Sequence, residues 1–325
     1  MTLTRRSLLA SIPFGASAVH GLAAGTDPVS GMPLRTFGKT GAKISVVGLG
    51  CGSRLLSYGT EDKAVMAIHK ALSLGINYLD TAFGYGNGKS ETWVGQAIKG
   101  RRQGLWITTK MQERDGAKAM GIIEASLKRL GVEQVDLIHV HSLLGPEDLE
   151  KVEAKGGLLE TLRKAKEQKL TRFIGVTSHT DPVTLKTALE RNDFDCTQMA
   201  LNAALVGMMN GKGGMVINPA LTTSFEHVAL PVALKKKMGV TAMKIFAQDG
   251  LKDAASIETL IRYGLSLPVA AAVLGMPKLE HMDENIHVAR EFRPLGKKEM
   301  RDLSGRLSKT HKAKLDEFFR DHADA

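Results

Sequence analysis

Between Ile76 and His141 the chain reads INYLD (76–80), KSETWVGQAIKG (89–100), LWITTK (105–110), AKAMGIIEASLKRLG (117–131) and VDLIHVH (135–141). The first, third and fifth runs are short and apolar, with the length of buried strands. The two between them carry apolar residues at helical spacing, and the second ends on Gly131, a usual helix stop. Strand, helix, strand, helix, strand predicts a parallel sheet. The same alternation extends both ways. SVVGLG (45–50) and EDKAVMAIHKALSLG (61–75) precede it. After it come strands in TRFIGVTS (171–178), DFDCTQMAL (193–201), VTAMKIF (240–246) and VAAAVLG (269–275), with helical segments between and after them. Eight such pairs predict a (β/α)8 TIM barrel, whose chemistry sits at the C-terminal ends of the strands. MPLRTFGKTGAK (32–43) reads as an N-terminal β-hairpin with its turn at Gly38–Gly41, and the segment after Pro294 as C-terminal surface helices.

That fold places four polar residues on one rim. Asp80, Lys110 and His141 stand where strands two, three and four end, and Tyr85 follows strand two. A tyrosine, a lysine, an aspartate and a histidine are the parts needed to protonate a carbonyl oxygen as a hydride reaches its carbon. Tyrosine is a poor donor near neutrality because its ordinary pKa is about 10. A buried ammonium from Lys110 is expected to lower that value, with Asp80 holding the ammonium and His141 bonding the substrate oxygen.

The first residues read as targeting, not fold. MTLTRRSLLASIPFGASAVHGLAAG has a charged start, an apolar middle and small residues at Ala23 and Ala24. The Arg5–Arg6 pair before Ser-Leu-Leu resembles a bacterial twin-arginine signal. Residues 1–24 are therefore expected to be a signal peptide and 25–325 the barrel domain, exported folded to the periplasm by the twin-arginine machinery. The apolar run is short of the roughly 20 residues a spanning helix needs.

Composition agrees with one aliphatic core: 43% hydrophobic and 5% aromatic residues. The net charge of +10 is spread over helices without aromatic interleaving, so no nucleic-acid partner is expected. Cys51 and Cys196 lie in or beside apolar runs and read as two buried thiols. Trp93 and Trp106 fit core positions, Ser90 fits a helix N-cap, and Phe83 fits the wall of a carbonyl pocket. His139 and His141 share a strand face. H-x-H also opens some metal sites, but strands five to eight offer no further ligands, so no metal is expected. There is no GxGxxG after the first strand. The stretch 202–225, rich in Gly and Met, reads as a long loop that could cap the rim.

With these motifs in place, the chain resembles the aldo/keto reductase family. DTAxxYG…E is matched by Asp80, Thr81, Ala82, Tyr85, Gly86 and Glu91, the third-strand lysine by Lys110, and DLxxxH by Asp136, Leu137 and His141. Gly175–Ser178 and GMPKLEHMDEN (275–285) match two later motifs. The resemblance implies a nicotinamide cofactor across the barrel mouth and a small carbonyl or alcohol substrate, a sugar among the candidates. It implies that Thr177, Ser178 and Gln198 hold the carboxamide, that Met243 packs on the nicotinamide, and that Glu284 and Asn285 touch the adenine. Lys278 stands near a 2′-phosphate, which favours NADP over NAD. Ser178 replaces an Asn, Met243 an aromatic ring and His281 a Gln or Arg of the usual pattern. Two other readings stay open on the sequence: a ligand-binding barrel without turnover, and a metal-dependent hydrolase.

Overall fold

Three short strands open the computed structural model, which describes residues 23–320 apart from 212–213, 219–220 and 252. They are β1 (Ala23–Thr26), β2 (Pro33–Thr36) and β3 (Lys43–Ser45), antiparallel in that order. The β2–β3 hairpin is the one expected, turning at Gly38–Gly41. Of the expected signal segment, only Ala23 and Ala24 are described, and they begin β1; the rest lies outside the described residues.

The alternating runs then close on themselves. The strands β4 (Val47–Gly50), β5 (Tyr78–Asp80), β6 (Trp106–Met111), β7 (Val135–Val140), β8 (Thr171–Ser178) and β9 (Cys196–Ala200) pair in sequence. A small hairpin follows, β10 (Met208–Gly211) and β11 (Gly214–Ile217), so the stretch 202–225 is not wholly irregular. β12 (Gly239–Met243) then pairs with β9, and β13 (Ala271–Leu274) joins β12 to β4. All eight barrel contacts are parallel, as required when helices carry the chain back between strands.

Local chemistry sets the helix ends. Thr60 caps Glu61–Ser73 by accepting from the Lys63 amide, and Gly75 turns the chain out at φ +94°. Asp115 caps Gly116–Leu130 in the same way. Ser90 does not cap. The helix starts at Lys89, and the Ser90 hydroxyl turns inward to Thr81 Oγ1 (2.7 Å) and the Cys51 carbonyl (2.6 Å). The helical run around Pro231 is broken into Phe225–Val228 and Leu230–Lys235. Both cysteines are buried free thiols. No helix among the described residues is long and apolar enough to cross a membrane.

The hairpin decides which end of the barrel is open. Phe37, wholly buried, enters the N-terminal mouth and meets Tyr78 and Trp106 edge-on, with ring centroids at 5.9 and 5.1 Å. Trp106 therefore helps to plug that mouth from a core position. A Cβ on Gly38, at φ +53°, would stand 2.3 Å from the backbone of Met238 and Gly239. Gly38→Ala is expected to lower stability by about 1–3 kcal/mol from the left-handed conformation alone, with the clash adding to it. A shifted urea midpoint at unchanged slope is the check. With the floor sealed, ligands can enter only from the C-terminal rim.

Candidate active site

The C-terminal ends of β5 and β6 bring Asp80 and Lys110 together inside the rim. Both are nearly inaccessible, and the Lys110 ammonium donates to Asp80 Oδ1. It also donates to the Thr81 carbonyl (2.9 Å) and lies 3.3 Å from Tyr85 Oη. Its three protons thus have three acceptors, which is what a buried ammonium needs. Gln198, at the middle of β9, donates Nε2 to Asp80 Oδ2 at 3.0 Å. The Asp80 carboxylate is therefore held from both sides. His141 follows β7. Its ring stands edge-on to Tyr85 with centroids 5.5 Å apart, and its Nδ1 is shielded from solvent with no partner. The four residues expected on one rim are on it.

The charges oppose one sequence expectation. The Tyr85 phenol is raised above its ordinary value, not lowered. Burial is the largest cause. The Lys110 ammonium pulls the other way, but Asp80, bonded to that ammonium, cancels part of the pull. Burial disfavours the Lys110 ammonium, yet Asp80 and Tyr85 outweigh it and the value is raised overall. The result is a neutral phenol beside a charged ammonium, the protonation state of a donor.

Burial holds His139 and His141 well below the imidazole range, with Lys110 adding to it, and pushes His179 down to about 4. Burial raises Glu226 to about 7. Between about pH 6.5 and 4.5, unfolding lets three histidines take up protons while Glu226 gives one up. The unfolded chain then binds more protons, so stability falls as pH is lowered through that window. Urea midpoints across it are expected to fall; a flat or rising trend would contradict these burials.

A cavity of about 400 Å³ opens beside the cluster. That is within the usual range for small-molecule sites. Asp80, Tyr85, Gln198, Met243, His281 and Asn285 all line it. Thr177 and Ser178 are not in that wall. The Thr177 hydroxyl accepts from the Ser142 amide (2.8 Å), and Ser178 Oγ donates to the Leu143 carbonyl (2.8 Å). Lys278 and Glu284 are exposed at the rim of the helix Leu279–Arg290, outside the wall. Phe83 lies under the Arg129 guanidinium, 5.1 Å from its ring centroid, and also lines no part of the cavity. His139 is buried, and neither ring nitrogen has a partner.

Sequence reasoning passed over Arg54, Lys244 and Asp249, which complete the wall. Arg54 and Asp249 join across it at 2.7 Å. Gly52 and Gly50 bring backbone to the cavity: a Cβ at Gly52 would meet the Tyr85 ring at 3.4 Å, and one at Gly50 the Leu274 carbonyl at 3.2 Å. The available signal was a Gly-rich turn after one strand and two separated charges in the loop after another, neither of which has a period to read.

A sequence profile described as the Aldo/keto reductase family matches residues 48–306, from the first barrel strand into the last helix. The chain belongs to the aldo/keto reductase family. Among curated proteins, this aldo/keto reductase is 26% identical over 294 residues to an uncharacterized oxidoreductase, YqkF, of Bacillus subtilis, covering 81% of this chain and 92% of that one. It is 26% identical over 293 residues to L-galactose dehydrogenase of Arabidopsis thaliana, covering 81% and 90%. Its fold matches the holo aldo-keto reductase of Bacillus halodurans with a TM-score of 0.68 at 22% identity, over 84% of this chain and 96% of that one. It also matches a Klebsiella pneumoniae aldo-keto reductase solved with NADPH, at 0.64 and 22%, over 84% and 94%.

Proposed function

We propose that the protein is an NADP(H)-dependent oxidoreductase that interconverts carbonyl and alcohol groups, with Tyr85 as proton donor. The carrying observation is the connected set Gln198–Asp80–Lys110–Tyr85, three members of which line the cavity, with the His141 ring against Tyr85. The bound cofactor supplies the hydride. The wall fits such a group: glycine backbone at Gly50 and Gly52, an apolar face at Met243 and cations at Arg54 and Lys244. Gln198, Met243 and Asn285 would hold it. Lys278 and Glu284, exposed beside that wall, would reach its adenosine end. The NADPH complex of the Klebsiella relative supports NADP over NAD.

Tyr85 holds the proton because burial keeps it there, and its oxygen accepts from the Lys110 ammonium. When the proton leaves, the ammonium is already 3.3 Å from the developing phenolate, so no reorganisation is needed at that moment. His141 is neutral, so its ring offers an N–H donor to a carbonyl oxygen without carrying a competing charge.

The Arg5–Arg6 signal extends the proposal to export in the folded state. A periplasmic enzyme of this kind needs its cofactor bound before export and recycled in place, as in an internal oxidation–reduction of a sugar or polyol. The name of the Arabidopsis relative makes sugars the first class to try. Protein matured through its own signal is expected in the periplasmic fraction and, when denatured, to release NADP near one equivalent per chain. Cytoplasmic retention would defeat the export reading. Mature protein that carries no nucleotide and binds none when supplied would defeat the cofactor reading.

A further inference from the structure

His141 can serve the carbonyl oxygen only if the end of β7 is held at a fixed place beside the end of β6, which carries Lys110. One side chain spans the two ends. Arg114, in the loop after β6, donates Nη1 to the Met111 carbonyl (3.1 Å) and Nη2 to the His141 carbonyl (2.9 Å). Met111 follows Lys110 on β6. The same guanidinium forks onto Asp148 in the helix Pro146–Glu153, Nε to Oδ1 and Nη2 to Oδ2, both at 2.9 Å. A bidentate pair of that kind fixes the plane of the guanidinium. Asp148 Oδ2 also accepts from the Leu144 amide (3.1 Å), so the carboxylate holds the far side of the loop after β7. Burial works against that carboxylate, but Arg114 and then the Leu144 amide outweigh it and hold Asp148 below its usual range.

The loop depends on such a hold. His141 Nδ1 has no partner, so no hydrogen bond there steers the ring; its direction follows from its main chain and from the edge contact with Tyr85. The His141 amide donates to the Met111 carbonyl (2.8 Å). Ser142 comes next, at φ +56°. Non-glycine residues rarely hold that conformation, and strain of this kind clusters at functional sites. Its amide and the Leu143 amide are taken up by Thr177, at Oγ1 (2.8 Å) and the carbonyl (2.7 Å). Thr177 secures the far side of the turn, and Arg114 the side that carries His141.

We propose that Arg114, clamped by Asp148, is a positioning residue for carbonyl reduction: it fixes the main chain of His141 against the strand end that carries Lys110 and so aims the imidazole at the carbonyl oxygen. This rests on the oxidoreductase reading above and extends it to two residues outside the cavity wall. In that reaction the carbonyl carbon takes a hydride from NADPH, which leaves as NADP⁺, and the oxygen takes the Tyr85 proton. A catalytic group misplaced by about 1 Å can cost about 10²-fold in rate.

Single-turnover reduction of 4-nitrobenzaldehyde at saturating NADPH, with NADPH affinity measured by fluorescence titration, tests this in a double-mutant cycle with His141→Asn. Arg114→Met is expected to lower the rate by about 10–100-fold where His141 is present. Where His141 is already Asn, the same change is expected to cost less than about twofold, because the group it aims is gone. NADPH affinity is expected to stay within about twofold throughout. Arg114→Lys keeps the charge but not the fork, so a loss of about 3–10-fold is expected, again only where His141 is present. That variant stands in should Arg114→Met fail to fold. A loss of equal size in both backgrounds overturns the proposal and leaves the oxidoreductase reading standing, since Arg114 would then support the barrel at large. An unaltered rate in Arg114→Met overturns it in the same way. A loss confined to NADPH affinity overturns it too, by moving Arg114 to the cofactor. No turnover by the unaltered protein, with this aldehyde or with glyceraldehyde, defeats the oxidoreductase reading and this proposal together.

Discussion

Tyr85→Phe lowers kcat by about 10²–10⁴-fold and leaves nucleotide affinity unchanged. The phenol oxygen is the one atom removed. Lys110 keeps its bonds to Asp80 and the Thr81 carbonyl, and the ring keeps its edge contact with His141. The fold and the cavity wall therefore survive, and the loss is one of proton transfer. Direction adds a second signature. Burial keeps Tyr85 protonated well past neutrality, so the form that donates is abundant and the form that accepts is scarce. Alcohol oxidation by the unaltered protein should speed up as pH rises, while carbonyl reduction should not. A Phe variant within about threefold of the unaltered rate would remove Tyr85 from its role.

Lys110→Met is expected to cost about 3–5 kcal/mol of stability as well as most of the activity. The lysine neutralises a carboxylate that is 3% exposed, and without it Asp80 keeps Gln198 as its side-chain partner among the described residues. The double variant Lys110→Met, Asp80→Asn distinguishes the two contributions. An amide at position 80 still accepts from Gln198 and carries no charge, so most of the stability should return while turnover stays low. Urea midpoints for the two variants give the first quantity and single-turnover rates the second. If the double variant were as unstable as the single, the buried carboxylate would not be the source of the loss. If it regained activity, Lys110 would have no part in proton donation.

Much of this molecule was legible without coordinates because its barrel is made of short, regular units. Eight apolar runs of strand length, separated by helices that stop on glycines such as Gly75 and Gly131, admit few arrangements. In a barrel, the end of a strand is also a place on the rim. Sequence position alone therefore put Asp80, Lys110 and His141 together, and the residue types named the chemistry. The hairpin turn at Gly38 was readable for the same reason: local conformation follows from local composition.

What the tertiary structure decided involves neighbours that are distant in sequence. Gln198 binds Asp80 from 118 residues away, and no local pattern announces that. The Ser178 hydroxyl is engaged by the Leu143 carbonyl, and Ser90 faces Thr81 rather than its own helix end. Phe83 looked like a pocket residue until Arg129 was found over its ring. The Tyr85 proton is the clearest case. Sequence supplied the ammonium that lowers its pKa and the carboxylate beside it, but not the depth of burial that raises it. Arg114 was invisible for a related reason, since loops carry no periodicity and an arginine in one reads as solvated. By itself the sequence determined the order of strands and which residues end them, because that information is periodic and local. Only the folded chain decided which charges are paired and which are buried, because those depend on what the barrel's closure brings against them.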